Sequence, residues 1–392
     1  MTTDAIPVQP ATASATRATR AWPPVLALAS GTAVLVTSEF LPAGVLPTIA
    51  SDLNVSVGTA GWAVAVTAIA GAVIAPTIAG LLPRADRHRV LVALLLAGIL
   101  ANVVVALSPN FAVMLLGRLV LGAALSGFWA FAFGVGVGAV PGRDRLVSTG
   151  LSFGVSFATV LGVPVGAAVA DGIGWRESFW GAAALCALSA LAVGMLLPAS
   201  PAHPSAGFRM LAQAVARPRL MLGILFITLA AFANFIAYPY IRLAIDRVDA
   251  SVTSPLLVGW GIGGLIGTLV AGALGGRLRV LAAVTPIVLA VALVTTAAAS
   301  TTPLLVVGAV LWGFAFNIVP VFGTLWVTRA EPERAESAVA LNVTAFQVAI
   351  TVGAAVGGAI VDSSGVQPTL IVGAVAAVLA GIGFAVVRLP RA

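Results

Sequence analysis

Long apolar runs separated by short polar stretches dominate this sequence. Most of the runs reach roughly 20 residues, the length that an α-helix needs to cross about 30 Å of hydrocarbon. Within a run the apolar residues are continuous and do not alternate with polar ones, which favours spanning helices over a membrane β-barrel. The pattern predicts an all-α membrane protein with twelve spans, at residues 25–47, 60–82, 90–108, 111–139, 146–170, 178–197, 219–242, 255–274, 280–299, 303–327, 338–361 and 368–388.

Composition supports a bilayer as the solvent of this chain. Of its 392 residues 60% are hydrophobic and 8% are charged, and the mean hydropathy is +1.11. A soluble domain carries about a quarter charged residues. The sequence shows no nucleotide-binding loop and no nucleophile motif, and its one cysteine and two histidines cannot make a metal cluster. We therefore expect a transporter and not an enzyme, with no cofactor, no metal and no ATP drive.

Polar stretches divide the chain into four parts. We predict a cytoplasmic tail at 1–22, a six-helix half at 23–199, a cytoplasmic linker with a short interfacial helix at 200–218, and a second half at 219–392. The basic residues are all arginine, and most fall in loops that are cytoplasmic if both termini are cytoplasmic. These loops account for the high isoelectric point, so nucleic-acid binding is not inferred. The lack of lysine with abundant Ala, Gly and Arg suggests a GC-rich bacterial genome. We expect a monomer in the bacterial inner membrane.

The two halves repeat one another. Gly117 and Gly122 recur as Gly308 and Gly313, and Asp171 recurs as Asp362. Gly162 and Gly166 likewise recur as Gly353 and Gly357. Two six-span halves in the same orientation, related by an axis along the membrane normal, form a transporter layout. The repeat therefore predicts two pseudo-symmetric six-helix halves.

Three stretches of the first half resemble a known superfamily. The loop from Gly80 to Arg89, with Asp86-Arg87-His88-Arg89, resembles the loop signature of the major facilitator superfamily. The stretch Gly117-Arg118-Leu119-Val120-Leu121-Gly122 resembles its arginine motif, and Gly154 to Gly166, with Gly162-Val163-Pro164-Val165-Gly166, resembles its antiporter motif. The resemblance implies the twelve-helix fold of that superfamily.

A narrower resemblance covers residues 30–180. Ser38-Glu39-Phe40-Leu41-Pro42, Gly117-Arg118 through Gly127-Phe128-Trp129-Ala130, and Gly174-Trp175-Arg176 through Phe179 are similar to bacterial purine-ribonucleoside efflux pumps of the drug:proton antiporter branch. This resemblance implies export driven by the proton gradient, with substrates such as inosine and guanosine. Multidrug, sugar or metabolite efflux, a uniporter or importer, and a membrane scaffold or sensor stay open as alternatives.

Two charged residues, Glu39 and Arg118, lie well inside predicted spans and suggest proton coupling. An ionised carboxylate in hydrocarbon costs several kcal/mol, so Glu39 must be protonated, paired or hydrated. Helix positions place Arg118 at a similar depth, which predicts a Glu39–Arg118 pair whose protonation biases the carrier between two states. The alternatives are a glutamate that reaches the outer interface and a purely structural pair.

Aromatic and amide side chains are candidates for substrate binding. Trp129 shares a helix face with Arg118, and its ring could stack on a flat base or anchor the helix at the interface. Amides can match the donors and acceptors of a nucleoside, or they can bond between helices. The other candidates for substrate binding are Asn234, Tyr238, Asn317, Asn342 and Gln347.

Two further groups are candidates for gating. Asp86, Arg87 and Arg89 would hold the cytoplasmic side closed, or they are simply a solvated loop. Small residues in the fifth span recur every four positions, next to a proline kink. They would form a rocking interface between the halves; the alternative is close helix packing without a role in gating. The members of this second group are Gly154, Gly162, Pro164 and Gly166.

Overall fold

The computed structural model describes residues 12–201 and 217–387, here called the N-terminal and C-terminal segments. The N-terminal segment contains α1 (Thr12–Asp52), α2 (Val57–Ala60), α3 (Trp62–Leu81), α4 (Arg87–Ala106), α5 (Phe111–Ala139), α6 (Asp144–Phe157), α7 (Val163–Ile173) and α8 (Trp175–Leu196). A π-helical turn, Ala158–Gly162, joins α6 to α7.

The C-terminal segment is also helical. It contains α9 (Pro218–Phe235), α10 (Ile241–Asp249), α11 (Thr253–Ala273), α12 (Leu278–Ala298), α13 (Thr302–Ala330), α14 (Ala335–Ser364) and α15 (Val366–Val386). Short 3-10 turns lie at Tyr238–Tyr240, Ala250–Val252, Gly275–Arg277 and Pro332–Arg334. No strand occurs in either described segment, so the all-α prediction is confirmed.

Eleven helical stretches of the described segments are long and apolar enough to cross a membrane. One of them, Pro218–Ala273, is 56 residues long and contains two of the spans that the hydropathy pattern separates, 219–242 and 255–274. Its helices follow one another through one-turn 3-10 segments and without a long polar loop. The chain is therefore a multi-pass membrane protein.

Two predicted boundaries differ from the structure. Helix α1 begins at Thr12, well before the predicted start of the first span at residue 25. The predicted seventh span is interrupted, because α9 ends at Phe235 and a 3-10 turn containing Pro239 follows. Proline has no amide hydrogen and clashes with the preceding helical turn, so the α-helix cannot continue through it.

Parts of two sequence predictions lie outside the described residues. They are residues 1–11 of the predicted tail and residues 202–216 of the predicted linker, with its interfacial helix.

Glycines that repeat in the sequence make matching helix contacts. A Cβ on Gly122 would clash with the carbonyl oxygen of Thr67, and a Cβ on Gly313 would clash with that of Trp260. In each case a glycine lets a helix backbone approach the helix that lies two spans earlier. The sequence repeat therefore corresponds to repeated packing.

Buried apolar residues form two clusters. One consists of N-terminal residues only, from Ala21 to Leu197. The other joins the last third of α1, from Leu41 onward, to residues of the C-terminal segment. The two segments thus share a core near the C-terminal end of α1.

Candidate functional site

Arg118 on α5 is fully buried and ties three helices together. Its Nε donates to the carbonyl oxygen of Ala63 on α3, and its two terminal nitrogens donate to the carbonyls of Ser38 and Glu39 on α1, each over 2.6 Å. In a helix the carbonyl of residue 38 bonds to the amide of residue 42. Pro42 has no amide hydrogen, so the Ser38 carbonyl is left free for Arg118.

These contacts correct the predicted form of the Glu39–Arg118 pair. The guanidinium bonds to the main-chain oxygen of Glu39 and not to its carboxylate. The reason is that a proline-freed carbonyl and two neighbouring carbonyls already supply acceptors for the guanidinium fork. The Glu39 side chain is 6% exposed and lies within electrostatic range of both Arg118 and Tyr238.

An aromatic cluster lies beside Glu39 and bridges the two segments. Phe40, the next residue along α1, stacks on Phe235 with ring centroids 6.1 Å apart and meets Tyr238 edge-on at 5.6 Å. Tyr238 in turn lies 4.8 Å from the ring of Trp260. We define the aromatic cluster as Phe40, Phe235, Tyr238, Trp260, Trp312 and Phe316.

Asn234, a predicted substrate-binding residue, lies at the edge of this cluster. It is fully buried, and its Oδ1 accepts a hydrogen bond from Trp312 Nε1 over 2.7 Å. Its amide nitrogen has no hydrogen-bond partner. Tyr238, also predicted, belongs to the cluster itself, but it lies in the 3-10 turn and not one helical turn beyond Asn234.

The remaining predicted substrate residues of the C-terminal segment lie on α13 and α14. Asn317 donates to the Gly313 carbonyl of its own helix over 3.0 Å. Gln347 of α14 lies against Gly71 of the N-terminal segment, since a Cβ on that glycine would clash with the Gln347 side chain. Asn342 is buried with an unpartnered Oδ1. Their roles in substrate binding stay predictions.

Trp129 lies at the exposed end of its predicted stripe, and its role in stacking or anchoring stays a prediction. The stripe that contains Arg118 and Leu125 is buried as far as Leu125, but Trp129 is 40% exposed. Phe133, one turn further along α5, is 47% exposed, and the space around Gly134 is open. Exposed residues also occur beside Arg118, where Leu116 and Leu119 are 60% and 39% exposed.

The predicted cytoplasmic gate residues bond within the N-terminal segment. Asp86 caps α4 by accepting from the amides of His88 and Arg89, and it also accepts from Ser200. Burial acts to raise the pKa of Asp86, but these amide hydrogen bonds outweigh it and hold the pKa below its usual value.

Arg87 and Arg89 complete that loop. The Arg87 guanidinium donates to Leu82 O over 2.7 Å and lies 4.4 Å from the centroid of the Phe131 ring, while Arg89 is exposed. The described contacts of Asp86 and Arg87 lie within the N-terminal segment, and a role of this loop in holding the cytoplasmic side closed stays a prediction.

The glycine stripe of the fifth span also needs a correction. A Cβ on Gly154 would clash with Ala29 O, one on Gly162 with Thr37, and one on Gly166 with Leu41. All three partners lie on α1, so the stripe seats α6 and α7 against the helix that carries Glu39, and not against the other half. Pro164 is buried in the first turn of α7.

The π-helical turn makes the contact that the stripe was expected to make. A Cβ on Gly261 of α11 would lie 2.6 Å from the Cα of Val160 and 2.9 Å from the carbonyl carbon of Thr159. The wide turn therefore places its backbone against the C-terminal segment, and a glycine on the facing helix permits the close approach.

A group of polar contacts joins the segments at the end opposite Asp86. Asp362 accepts from the Ser56 hydroxyl over 2.6 Å and from the Gly58 amide over 2.8 Å. Arg242 donates to Asp171 over 2.6 Å and to Gly44 O over 2.9 Å. We call these contacts the latch; its side chains are Ser56, Asp171, Arg242 and Asp362.

Sequence reasoning missed the latch and most of the aromatic cluster. Asp171 and Asp362 were recognised only as a repeat, although an acidic residue at matched helix ends could have suggested paired contacts. Trp312 and Phe316 lie four residues apart, which places both on one helix face. Trp260 gave no comparable signal of its own.

The chain matches a known protein family and is similar to characterised transporters. The chain matches the family described as the Major Facilitator Superfamily over residues 28–241 and 220–392. It is 32% identical over 355 residues to the purine ribonucleoside efflux pump NepI of Salmonella paratyphi B, with 89% of each chain covered. The NepI protein of Salmonella typhimurium shows the same identity and coverage.

Solved structures share the fold. The nucleoside transporter NupG superposes with a TM-score of 0.76 at 16% identity, over 92% of this chain and 98% of that one. An inward-facing, occupied bacterial homologue of the human lysosomal transporter Spinster gives a TM-score of 0.75 at 15% identity, over 96% and 97%. Identities this low show the fold alone.

Proposed function

Because this chain belongs to the Major Facilitator Superfamily, we propose that it is a proton-coupled antiporter that exports purine ribonucleosides such as inosine and guanosine. It is a multi-pass membrane transporter, and its relatives are transporters and not enzymes. The observation that carries the proposal is a buried carboxylate, Glu39, next to an aromatic cluster that spans both segments.

The proposed arrangement is twelve spans in two six-helix halves of a bacterial inner membrane. The 56-residue stretch Pro218–Ala273 is long enough for two spans at roughly 20 residues each, which brings eleven stretches to twelve spans. Both termini are cytoplasmic in this arrangement. The latch then closes the periplasmic end, and Trp129 and Phe133 lie exposed on the cytoplasmic half of α5.

In the proposed cycle Glu39 carries the proton. Arg118 holds the α1 backbone at Ser38 and Glu39, so a change in the charge of the carboxylate acts on a helix already tied to α3 and α5. Phe40 contacts Phe235 and Tyr238 of the other segment. Protonation of Glu39 and occupancy of the aromatic cluster would therefore bias the same interface, which is the coupling that antiport needs.

The test is uptake of radiolabelled inosine into inverted membrane vesicles with an acidic interior. Their interior corresponds to the periplasm, so an exporter accumulates inosine as protons leave. We expect wild-type accumulation that collapses with an uncoupler and is abolished by Glu39→Gln. The control is Glu177→Gln, which changes an exposed glutamate outside the site and should transport normally.

Each outcome has a defined meaning. Wild-type accumulation without dependence on the proton gradient would identify a uniporter. Absence of wild-type inosine accumulation would overturn the nucleoside assignment. Full activity of Glu39→Gln would remove Glu39 as the proton site.

A further inference from the structure

Two buried hydrogen-bond donors, one in the aromatic cluster and one at its edge, have no acceptor. They are Trp260 Nε1 and Asn234 Nδ2, and their residues are 3% and 0% exposed. An unmet buried donor costs about 1–3 kcal/mol, and such groups are rare in folded proteins. Their presence in one small region therefore needs an explanation.

Both donors belong to one continuous set of contacts. Tyr238 lies 4.8 Å from the Trp260 ring and 6.5 Å from the Trp312 ring, and Trp312 donates to the other end of the Asn234 amide. Phe316 lies 6.3 Å from Trp260, with its ring close to parallel. The donors thus lie among aromatic rings, which provide flat apolar surfaces.

The charges nearby indicate an uncharged ligand. Arg118 already spends its three donating nitrogens on main-chain carbonyls, and Glu39 would repel an anion. A phosphorylated nucleotide would need a free cation at this place. A planar, neutral ring with acceptor atoms on its edge meets both requirements, since it can stack on the rings and accept from the donors.

We propose that Trp260 is a substrate-binding residue, and that its indole N–H and the Asn234 amide N–H together bind the acceptor edge of a neutral planar base. This inference rests on the proposed function. It adds Trp260 as a binding residue, assigns the two N–H donors to the base, and excludes phosphorylated nucleotides as substrates. A 6-oxopurine presents two adjacent acceptors, O6 and N7, on one edge. The two unmet donors match that pair in number and polarity.

The cluster offers a matched pair of variants. Trp260→Phe removes an unpartnered N–H and keeps an aromatic ring. Trp312→Phe makes the same chemical change, but it breaks the bond to Asn234 Oδ1 and leaves that oxygen buried without a donor. We expect Trp312→Phe to lower the melting temperature and Trp260→Phe to leave it unchanged or raise it, because only the first loses an internal bond.

The experiment measures both stability and inosine binding, on the full-length protein in lipid nanodiscs. Trp260→Phe should weaken inosine binding about tenfold, equivalent to about 1.4 kcal/mol. Wild type should bind inosine monophosphate much more weakly than inosine. Two analogues each lack one acceptor: 7-deazainosine lacks N7 and purine riboside lacks O6. For the analogue that lacks the acceptor bound by Trp260, wild type and Trp260→Phe should bind with equal affinity.

Several results would overturn the inference. Equal inosine affinity of wild type and Trp260→Phe would do so and would leave the transport proposal intact. If the melting temperature of Trp260→Phe is as low as that of Trp312→Phe, the Trp260 N–H has an internal partner and the inference fails. If Trp260→Phe does not fold, equal wild-type affinity for inosine and both analogues would overturn it. No binding of inosine by wild type overturns this inference and the proposed function together.

Discussion

Replacement of Arg118 by lysine tests the three-helix contact most directly. The guanidinium bonds to Ala63 O, Ser38 O and Glu39 O, in three directions that its planar fork reaches at once. A lysine ammonium is a point charge on an unbranched stem and cannot reach all three. Losing two of these bonds to a charged donor costs about 3 kcal/mol, at about 1.5 kcal/mol each.

Pro42 provides an internal check on that reasoning. Pro42→Ala restores an amide hydrogen that can bond to the Ser38 carbonyl, so this oxygen no longer depends on Arg118. The cost of Arg118→Lys should then fall by about 1 kcal/mol when Pro42→Ala is also present. The two changes are thus expected to be non-additive, as for residues that share one hydrogen-bonding partner.

The assay is a double-mutant cycle on free energies of unfolding, measured by SDS titration in mixed micelles. Arg329→Lys serves as the control, because Arg329 is exposed and donates to Gly275 O over 2.9 Å; it should change the free energy by less than about 0.5 kcal/mol. The reasoning is refuted if Arg118→Lys costs no more than the control, or if the two α1–α5 changes add within about 0.5 kcal/mol.

Two further predictions concern the latch and the glycine stripe. Asp362→Ala removes the acceptor for Ser56 and Gly58 and should weaken the latch. A cysteine placed beneath the latch should then react faster with an impermeant thiol reagent added from the periplasmic side. An unchanged labelling rate would contradict a closing role. Gly154→Val should lower the melting temperature by several degrees because its Cβ meets Ala29 O, whereas Gly138→Val, which faces open space, should have little effect; equal melting temperatures would count against the packing argument.

Hydropathy and charge predicted the helical membrane fold and the buried positions of Glu39 and Arg118. A charged residue inside an apolar run stands out, because the pattern itself makes it costly. The main-chain acceptors of Arg118 were harder to predict from sequence, although Pro42 gave a clue. Pro42 follows Ser38 by four residues and has no amide hydrogen, so it leaves the Ser38 carbonyl free. The break in the seventh span was likewise marked by Pro239.

The aromatic cluster could not be derived in the same way. Phe40, Tyr238, Trp260 and Phe316 come from four separate elements, and each of them would be ordinary in a spanning helix. Their meeting depends on how the two segments are placed, which local pattern does not encode. The glycine stripe was recognised as a close-packing surface, but periodicity alone did not say that α1 would be its partner.

Three of the four latch side chains are exposed, and this has a kinetic consequence. Asp362 and Ser56 are exposed and the Asp171 side chain is 39% exposed, whereas the Arg242 side chain is 13% exposed. The solvated contact between Ser56 and Asp362 therefore contributes about 1 kcal/mol or less. Every 1.36 kcal/mol added to a barrier slows a step tenfold. A buried latch of the same size would hold a carrier shut, whereas a solvated one exchanges its bonds with water as it opens. In the proposed cycle, solvent at the latch therefore lets this end open without a large added barrier.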